Sequence, residues 1–447
     1  MKVPQRILED PGRAGGVFLS LKEDHCVGCT HCLRVCPTEA IRIRGGKARM
    51  MPHRCIDCGE CIRACPRKAW AVEAKPWERV LEKGKIVAVL DPAVLGQFGD
   101  RVVPGMILRA FSEIGFSKVE DIGQGLAVYR RAVAGYLASG RAPSPAISSD
   151  CPAVVQLVQV KFPSLLENLV PVVPPFEIMA DLLRRNTEGG STGGLGYVVP
   201  CLAKARASTE AGKPERSYHH AIPFAEVYPI LRAQLHGREE EPFPEAGGGP
   251  SVSALEWAYP GGQSRAMGLE ASLIVDGVSQ VAEVLELAEN GLLEEVPFIE
   301  AWSCRGGCLG GPLNVRNPFW ARFQLFSWIR KRKDDARSPE TLGRGEEVNA
   351  YIMDQPFPPR AGMRLDQDLQ LAMEKLRRID EVVKRFPGID CGSCGSPSCL
   401  ALAEDVVQGY ARETDCICIL KKGKTVEAGP GKEASRGRPP KSRGKRR

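Results

Sequence analysis

Through the middle of the chain, short apolar runs alternate with stripes of apolar residues at helical spacing. GKIVAVLDP, directly after Lys83, is a β-branched run closed by Asp-Pro, the pattern of a buried strand. MILRAFSEIGF, residues 106–116, carries its apolar positions at helical spacing and meets Gly115 near its end. Further on, Ser272–Val275 reads as a strand, Val278–Asn290 as a helix stopped by Gly291, and Val296–Trp302 as another strand. Strands alternating with helices predict an α/β domain built on parallel sheet. In such domains reactive side chains sit in loops beyond the carboxyl ends of the strands. Nearer the C-terminus, Leu369, Met373, Leu376, Ile379 and Val383 form a stripe over Asp366–Phe386, which predicts a helix ending before Pro387-Gly388.

Length and composition set the frame for these elements. At 447 residues the chain exceeds one small domain, and 43% apolar content supplies ample core. No uninterrupted apolar stretch reaches the length of a membrane span. The opening MKVPQRILEDPGRAGG has no apolar core of a secretory signal, so a cytoplasmic location is expected. Part of the net charge of +7 sits in the tail GKEASRGRPPKSRGKRR, expected to be disordered over 421–447. Such a block reads as a solvated end and not as a nucleic-acid-binding element.

The 17 cysteines change the picture. Without a secretory signal a disulfide framework is not expected, and thiols grouped this tightly point to metal. CVGCTHCLRVCP supplies Cys26, Cys29, Cys32 and Cys36, and CIDCGECIRACP supplies Cys55, Cys58, Cys61 and Cys65. Zinc knuckles use paired two-cysteine motifs, not two runs of four. Each run resembles the cysteine-rich run of bacterial two-cluster ferredoxins, where the fourth cysteine serves the other cluster. The resemblance implies one [4Fe–4S] cube on Cys26, Cys29, Cys32 and Cys65, and a second on Cys55, Cys58, Cys61 and Cys36. An electron-transfer module of this kind implies a redox site beyond it.

FIEAWSCRGGCLGGPLNV places Cys304 and Cys308 in a glycine-rich turn after an apolar strand. Cys151, in SSDCPAVV, and Cys201, in VVPCLAKA, stand alone. A lone cysteine is commonly a small core hydrophobe. These two adjoin prolines and are separated from the Cys304/Cys308 pair by whole α/β units, so together they make four thiolates in three loops. Asp150-Cys151-Pro152, Pro200-Cys201-x-x-Lys204 and Cys304-x-x-x-Cys308-x-Gly-Gly311 resemble, in order and spacing, the three signature loops of [FeFe]-hydrogenases over Lys83–Gly362. The resemblance implies a cube on Cys151, Cys201, Cys304 and Cys308. It also implies a diiron unit with CO and cyanide joined through Cys308, and a hydrogen bond from Lys204 to a cyanide. Gly306 and Gly307 would bring backbone N–H groups to sulfur, and Val198, Val199, Ile178 and Met179 would exclude water.

Departures from that family concern protons. Asp150 stands where catalytic members carry a relay cysteine, and Arg130, Arg131 and Ala207 fall where acidic residues are expected. Asp150 relays protons near neutrality only if burial raises its pKa. GGPLN replaces the usual three glycines and Gln-Pro. Sensory members show altered relays of this kind, and relatives in cytosolic iron–sulfur assembly hold no diiron unit. Near the C-terminus, Cys391, Cys394, Cys399 and Cys416 resemble the single [4Fe–4S] domain of corrinoid iron–sulfur proteins and of a membrane electron-transport subunit. Four thiolates there would also suit structural zinc.

The expected architecture is α/β, in four parts: a two-cluster ferredoxin domain (1–78), a hydrogenase-like domain with parallel sheets (79–365), a small helical [4Fe–4S] domain (366–420) and the basic tail. Two readings stay open. One is a slow or sensory, ferredoxin-linked hydrogenase served by maturation proteins and by a ferredoxin-type carrier or signalling partner. The other is a non-catalytic electron-transfer or assembly scaffold holding cubes alone.

Overall fold

The alternating apolar runs become two parallel sheets. The computed structural model describes residues 18–99, 101–185, 194–209, 216–238, 250–331, 348–354 and 357–424. In chain order the strands are β1 (Phe18–Leu21), β2 (Ile41–Arg44), β3 (Lys47–Met50), β4 (Trp70–Glu73), β5 (Val87–Leu90), β6 (Lys118–Asp121), β7 (Ala146–Ile147), β8 (Leu195–Val199), β9 (His220–Pro223), β10 (Leu273–Asp276) and β11 (Phe298–Trp302). One sheet has the order β6-β5-β8-β9 and the other β10-β11-β7, all parallel. The strands β8 and β11 are buried along their whole length, as strands covered on both faces require. The helix expected around residues 106–116 spans Pro104–Glu113, and that expected from Val278 spans Val278–Glu289.

Glu300 interrupts the apolar run of β11 and is fully buried. Its carboxylate accepts from the N–H groups of Gly261 (2.7 Å) and Ser264 (2.8 Å), the Ser264 hydroxyl (2.6 Å) and Trp302 Nε1 (2.8 Å). Four donors offset the cost of burying the charge, and they lock the strand that leads to Cys304.

The N-terminal module pairs β1 with β4 and β2 with β3, both antiparallel. Short helices His31–Arg34 and Glu60–Ala64 carry the cysteine runs, each entered through a left-handed residue, Thr30 or Gly59. At the other end, helices Leu369–Val383 and Cys399–Val407 enclose a small core that includes Ile379, Val382 and Leu402. The predicted stripe is helical, but its first half is bare: Leu369, Met373 and Leu376 are 74%, 50% and 52% exposed. A last helix, Ile417–Lys424, runs past the boundary expected at 420, and the rest of the basic tail lies outside the described residues.

Candidate metal centres

Cys26, Cys29, Cys32 and Cys65 line one cavity, and Cys36, Cys55, Cys58 and Cys61 line another. The exchange of fourth cysteines follows from the twofold repeat. Cys36 and Cys65 occupy equivalent places after the two short helices, and each sulfur accepts from the N–H four residues on, Ala40 or Ala69, at 3.2 Å. A third cavity is lined by Cys391, Cys394, Cys399 and Cys416. Among the described residues no three His, Cys, Asp or Glu side chains close on a point as a single ion requires.

The donor chemistry fits iron–sulfur cubes. Burial, reinforced by Asp57, pushes the Cys55 thiol well up, and burial, reinforced by Cys36, does the same to Cys58. Buried thiols of this sort stay protonated until a metal centre supplies the positive charge that makes them thiolates. Soft sulfur ligands in sets of four then suit [4Fe–4S] centres.

The remaining patterned cysteines meet where the two parallel sheets end. Cys151 follows β7, Cys201 follows β8, and Cys304 and Cys308 follow β11. Cys304 and Cys308 are buried, Cys151 and Cys201 half-buried. Burial, then neighbouring Cys304, raises Cys151 to about 11 and raises Cys201 further. GGPLN locks two of these loops together. The Leu313 N–H donates to the Pro200 carbonyl (2.9 Å), and a Cβ on Gly311 would stand 2.2 Å from that oxygen. Asn314 donates from Nδ2 to the carbonyls of Cys308 (2.9 Å) and Leu309 (3.0 Å).

Gly306 and Gly307 are left-handed, as a tight turn needs (φ 81° and 69°). Their N–H groups do not go to sulfur, contrary to expectation. Gly306 donates to the Asp276 carboxylate and Gly307 to the Cys304 carbonyl. A cross-module donor reaches sulfur instead: Arg63 Nη2 lies 3.4 Å from Cys304 Sγ. No motif announces it.

Lys204 has a protein partner that its motif does not announce. Its ammonium is 2.8 Å from Asp91 Oδ2, and both side chains are sealed from solvent. Tyr197 donates to the same oxygen at 2.7 Å, while Asp91 Oδ1 caps the helix Pro92–Leu95 through the Ala93 N–H (3.0 Å). Burial opposes the Lys204 charge, but Asp91, Cys308, Tyr197 and Asp150 together outweigh it and lift the lysine well above its usual pKa. By pattern, Asp91-Pro92 reads as a strand terminator. An aspartate before a proline is also a helix-cap signal, and that is the clue the sequence holds.

Asp150 is fully buried, with Oδ2 accepting from Trp257 Nε1 (3.0 Å) and Gln263 Nε2 (3.1 Å). Burial raises its pKa against the opposing pull of Lys204. Arg130 is half-buried, Arg131 exposed and Ala207 half-buried, so none supplies a carboxylate. Val198, Val199, Ile178 and Met179 are buried; the last two lie in the helix Pro175–Arg185.

The modules touch through their cysteine loops. A Cβ on Gly59 would stand 2.6 Å from Pro312, and Arg206 pairs with Asp57 at 3.0 Å. On the far side, Arg34 donates to the Cys391 carbonyl (3.2 Å) and Arg44 to that of Cys394 (3.2 Å).

Comparison with known proteins gives three matches along the chain. The family described as "Iron only hydrogenase large subunit, C-terminal domain" matches residues 84–312, the "4Fe-4S dicluster domain" matches 18–66, and an Fe-S cluster family matches 386–418. The periplasmic [Fe] hydrogenase large subunit of Nitratidesulfovibrio vulgaris is 30% identical over 215 residues, covering 42% of this chain and 50% of that one. A component of the ion-translocating oxidoreductase complex of Rhodobacter capsulatus is 43% identical over 58 residues, covering 11% of this chain and 31% of that one. The chain thus spans half the length of the first relative and under a third of the second. Among solved structures, an apo [FeFe]-hydrogenase of Chlamydomonas reinhardtii is 14% identical, covering 63% of this chain and 98% of that one at a TM-score of 0.45. Another, from a study of stepwise hydrogenase cluster assembly, has the same coverage and a TM-score of 0.44.

Proposed function

This chain belongs to the iron-only hydrogenase large-subunit family, and from that premise we propose that it is an electron-transfer protein holding four [4Fe–4S] cubes. The ligands are Cys26, Cys29, Cys32 and Cys65; Cys36, Cys55, Cys58 and Cys61; Cys151, Cys201, Cys304 and Cys308; and Cys391, Cys394, Cys399 and Cys416. The observation that carries the reading is the contact order of the cysteine loops. The Cys391 loop lies on the Cys32 helix through Arg34, and the Cys61 helix reaches Cys304 through Arg63. Electrons therefore have a continuous route from the C-terminal centre through the two ferredoxin-type centres to the Cys304 centre. The partner at the outer end is a one-electron carrier or a redox-signalling protein.

The alternative is a slow or sensory hydrogenase with a diiron unit joined through Cys308. Lys204, facing Cys308 electrostatically, is the observation in its favour. Two others weigh against it: the relay position holds a sealed aspartate, and Lys204 already has a carboxylate partner. Among the described residues no helix is long and apolar enough to cross a membrane. We propose a cytoplasmic location, where thiols stay reduced and free to serve metal.

Elemental analysis of anaerobically reconstituted protein tests the reading. Four cubes require about sixteen irons per chain and no zinc. Cys201→Ser, which removes a soft ligand from one set, should lower iron by roughly a quarter and leave the other centres' spectra unchanged. Zinc in any of the four sets, or full iron in the variant, contradicts it.

A further inference from the structure

Asp91, Lys204, Tyr197 and Cys308 decide what the fourth centre can hold beyond a cube. An anionic unit bound beside Cys308 needs positive charge nearby, because ions taken out of water persist only when paired. Lys204 is the cation that acts on Cys308, and its Nζ is 2.8 Å from Asp91 Oδ2. The pair is built, not incidental. Asp91 is 0% and Lys204 2% exposed, Tyr197 donates to the same carboxylate oxygen at 2.7 Å, and Asp91 Oδ1 is fixed by the Ala93 N–H at 3.0 Å. Tyr197 is itself held between the rings of Phe176 and Tyr218, at centroid distances of 5.4 and 5.0 Å.

The local charge balance follows. Asp91 cancels Lys204, and the sealed Asp150 carboxyl stands close enough to act on both Lys204 and Cys308. A cyanide-bearing diiron unit would add negative charge to a pocket whose facing cation is already matched. The residues present fit the cube and do not fit that second group.

Resting on the four-cube reading, we infer that Asp91 is the specificity-determining residue that closes this centre to an anionic metal unit, so that Cys308 ends as a simple ligand of the cube. Removing the Asp91 charge frees Lys204 and should open the pocket to such a unit. The test uses the full chain with its cubes reconstituted, offered a synthetic diiron complex carrying CO and cyanide, then desalted. Infrared spectroscopy reads protein-bound CO and cyanide. Parent protein should retain none. Asp91→Asn, which keeps the side chain's shape and the Tyr197 contact, should retain on the order of one complex per chain, and Asp91→Ala should do the same.

Bands in the parent overturn the inference. So do blank spectra from both variants when each still holds its cubes. If neither variant holds its cubes, the parent decides: bands overturn the inference and a blank spectrum upholds it. Iron content, measured on the same samples before the complex is added, separates this from the function itself. A parent short of four cubes sinks the proposed function whatever the infrared shows.

Discussion

Arg63 spans the junction between two modules with a single side chain. It pairs with Glu60, donates to the Gly310 carbonyl and places Nη2 3.4 Å from Cys304 Sγ. A cation donating to a cluster thiolate stabilises the reduced, more negative form and so raises its potential. Arg63→Gln should therefore lower the midpoint of one centre by tens of millivolts, below the ~60–130 mV that a whole charge-assisted bond corresponds to for one electron. Potentiometric titration followed by electron paramagnetic resonance checks this; a drop shared by all centres, or none, would speak against it. The cysteine runs at 26–36, 55–65 and 391–399 were legible because their spacing is local in sequence, whereas Cys151 and Cys201 joined Cys304 and Cys308 only through the family resemblance. Arg63 and Asp91 were not legible, because their partners lie 241 and 113 residues away. Only folding the chain brings such pairs together, and the helix-cap signal at Asp91 does not announce Lys204.

The helix Cys399–Val407 presents Asp405 to the strand β2. Asp405 Oδ2 meets Arg42 Nε at 2.6 Å, Arg44 Nη2 at 2.7 Å and the Ser396 hydroxyl at 2.8 Å. Beside it the Ile43 N–H donates to the Gly395 carbonyl at 2.8 Å, and a Cβ on Gly395 would stand 2.1 Å from the Ile43 oxygen. This contact seats the C-terminal helices on the ferredoxin-type module. Asp405→Ala leaves two arginines without their buried counter-charge, a loss of about 3–5 kcal/mol. The C-terminal module should then melt earlier and become the first segment cut in limited proteolysis, while the central sheets keep their stability. Simultaneous loss of both would place the contact's role elsewhere. At this scale the sequence was a good guide to type and a weaker one to contact. The strands and helices read from apolar runs and 3.6-residue stripes fell where those patterns put them. The Asp366–Phe386 stripe, however, predicted a buried face along a helix whose first half is exposed, since periodicity reports what a helix can bury and not what lies against it.

Across the whole molecule, one core cluster runs from the ferredoxin-type module into the four-stranded sheet, a second fills the space around the three-stranded sheet, and a third holds the C-terminal helices. The Cys304 centre lies at the carboxyl ends of both parallel sheets, where α/β architecture places reactive groups. That placement was legible from the alternation of strands and helices alone. What the sequence left open was whether the site holds a cube or a cube with a catalytic diiron unit. We trace the proposed difference to Asp91 and Lys204, which both act on Cys308. The central claim is a chain of four one-electron centres and nothing more. Coulometric reduction of the anaerobically reconstituted full chain tests it most directly. The account predicts about four electrons taken up per chain, one per cube. Uptake of clearly more, or of three or fewer by protein with full iron content, would contradict it.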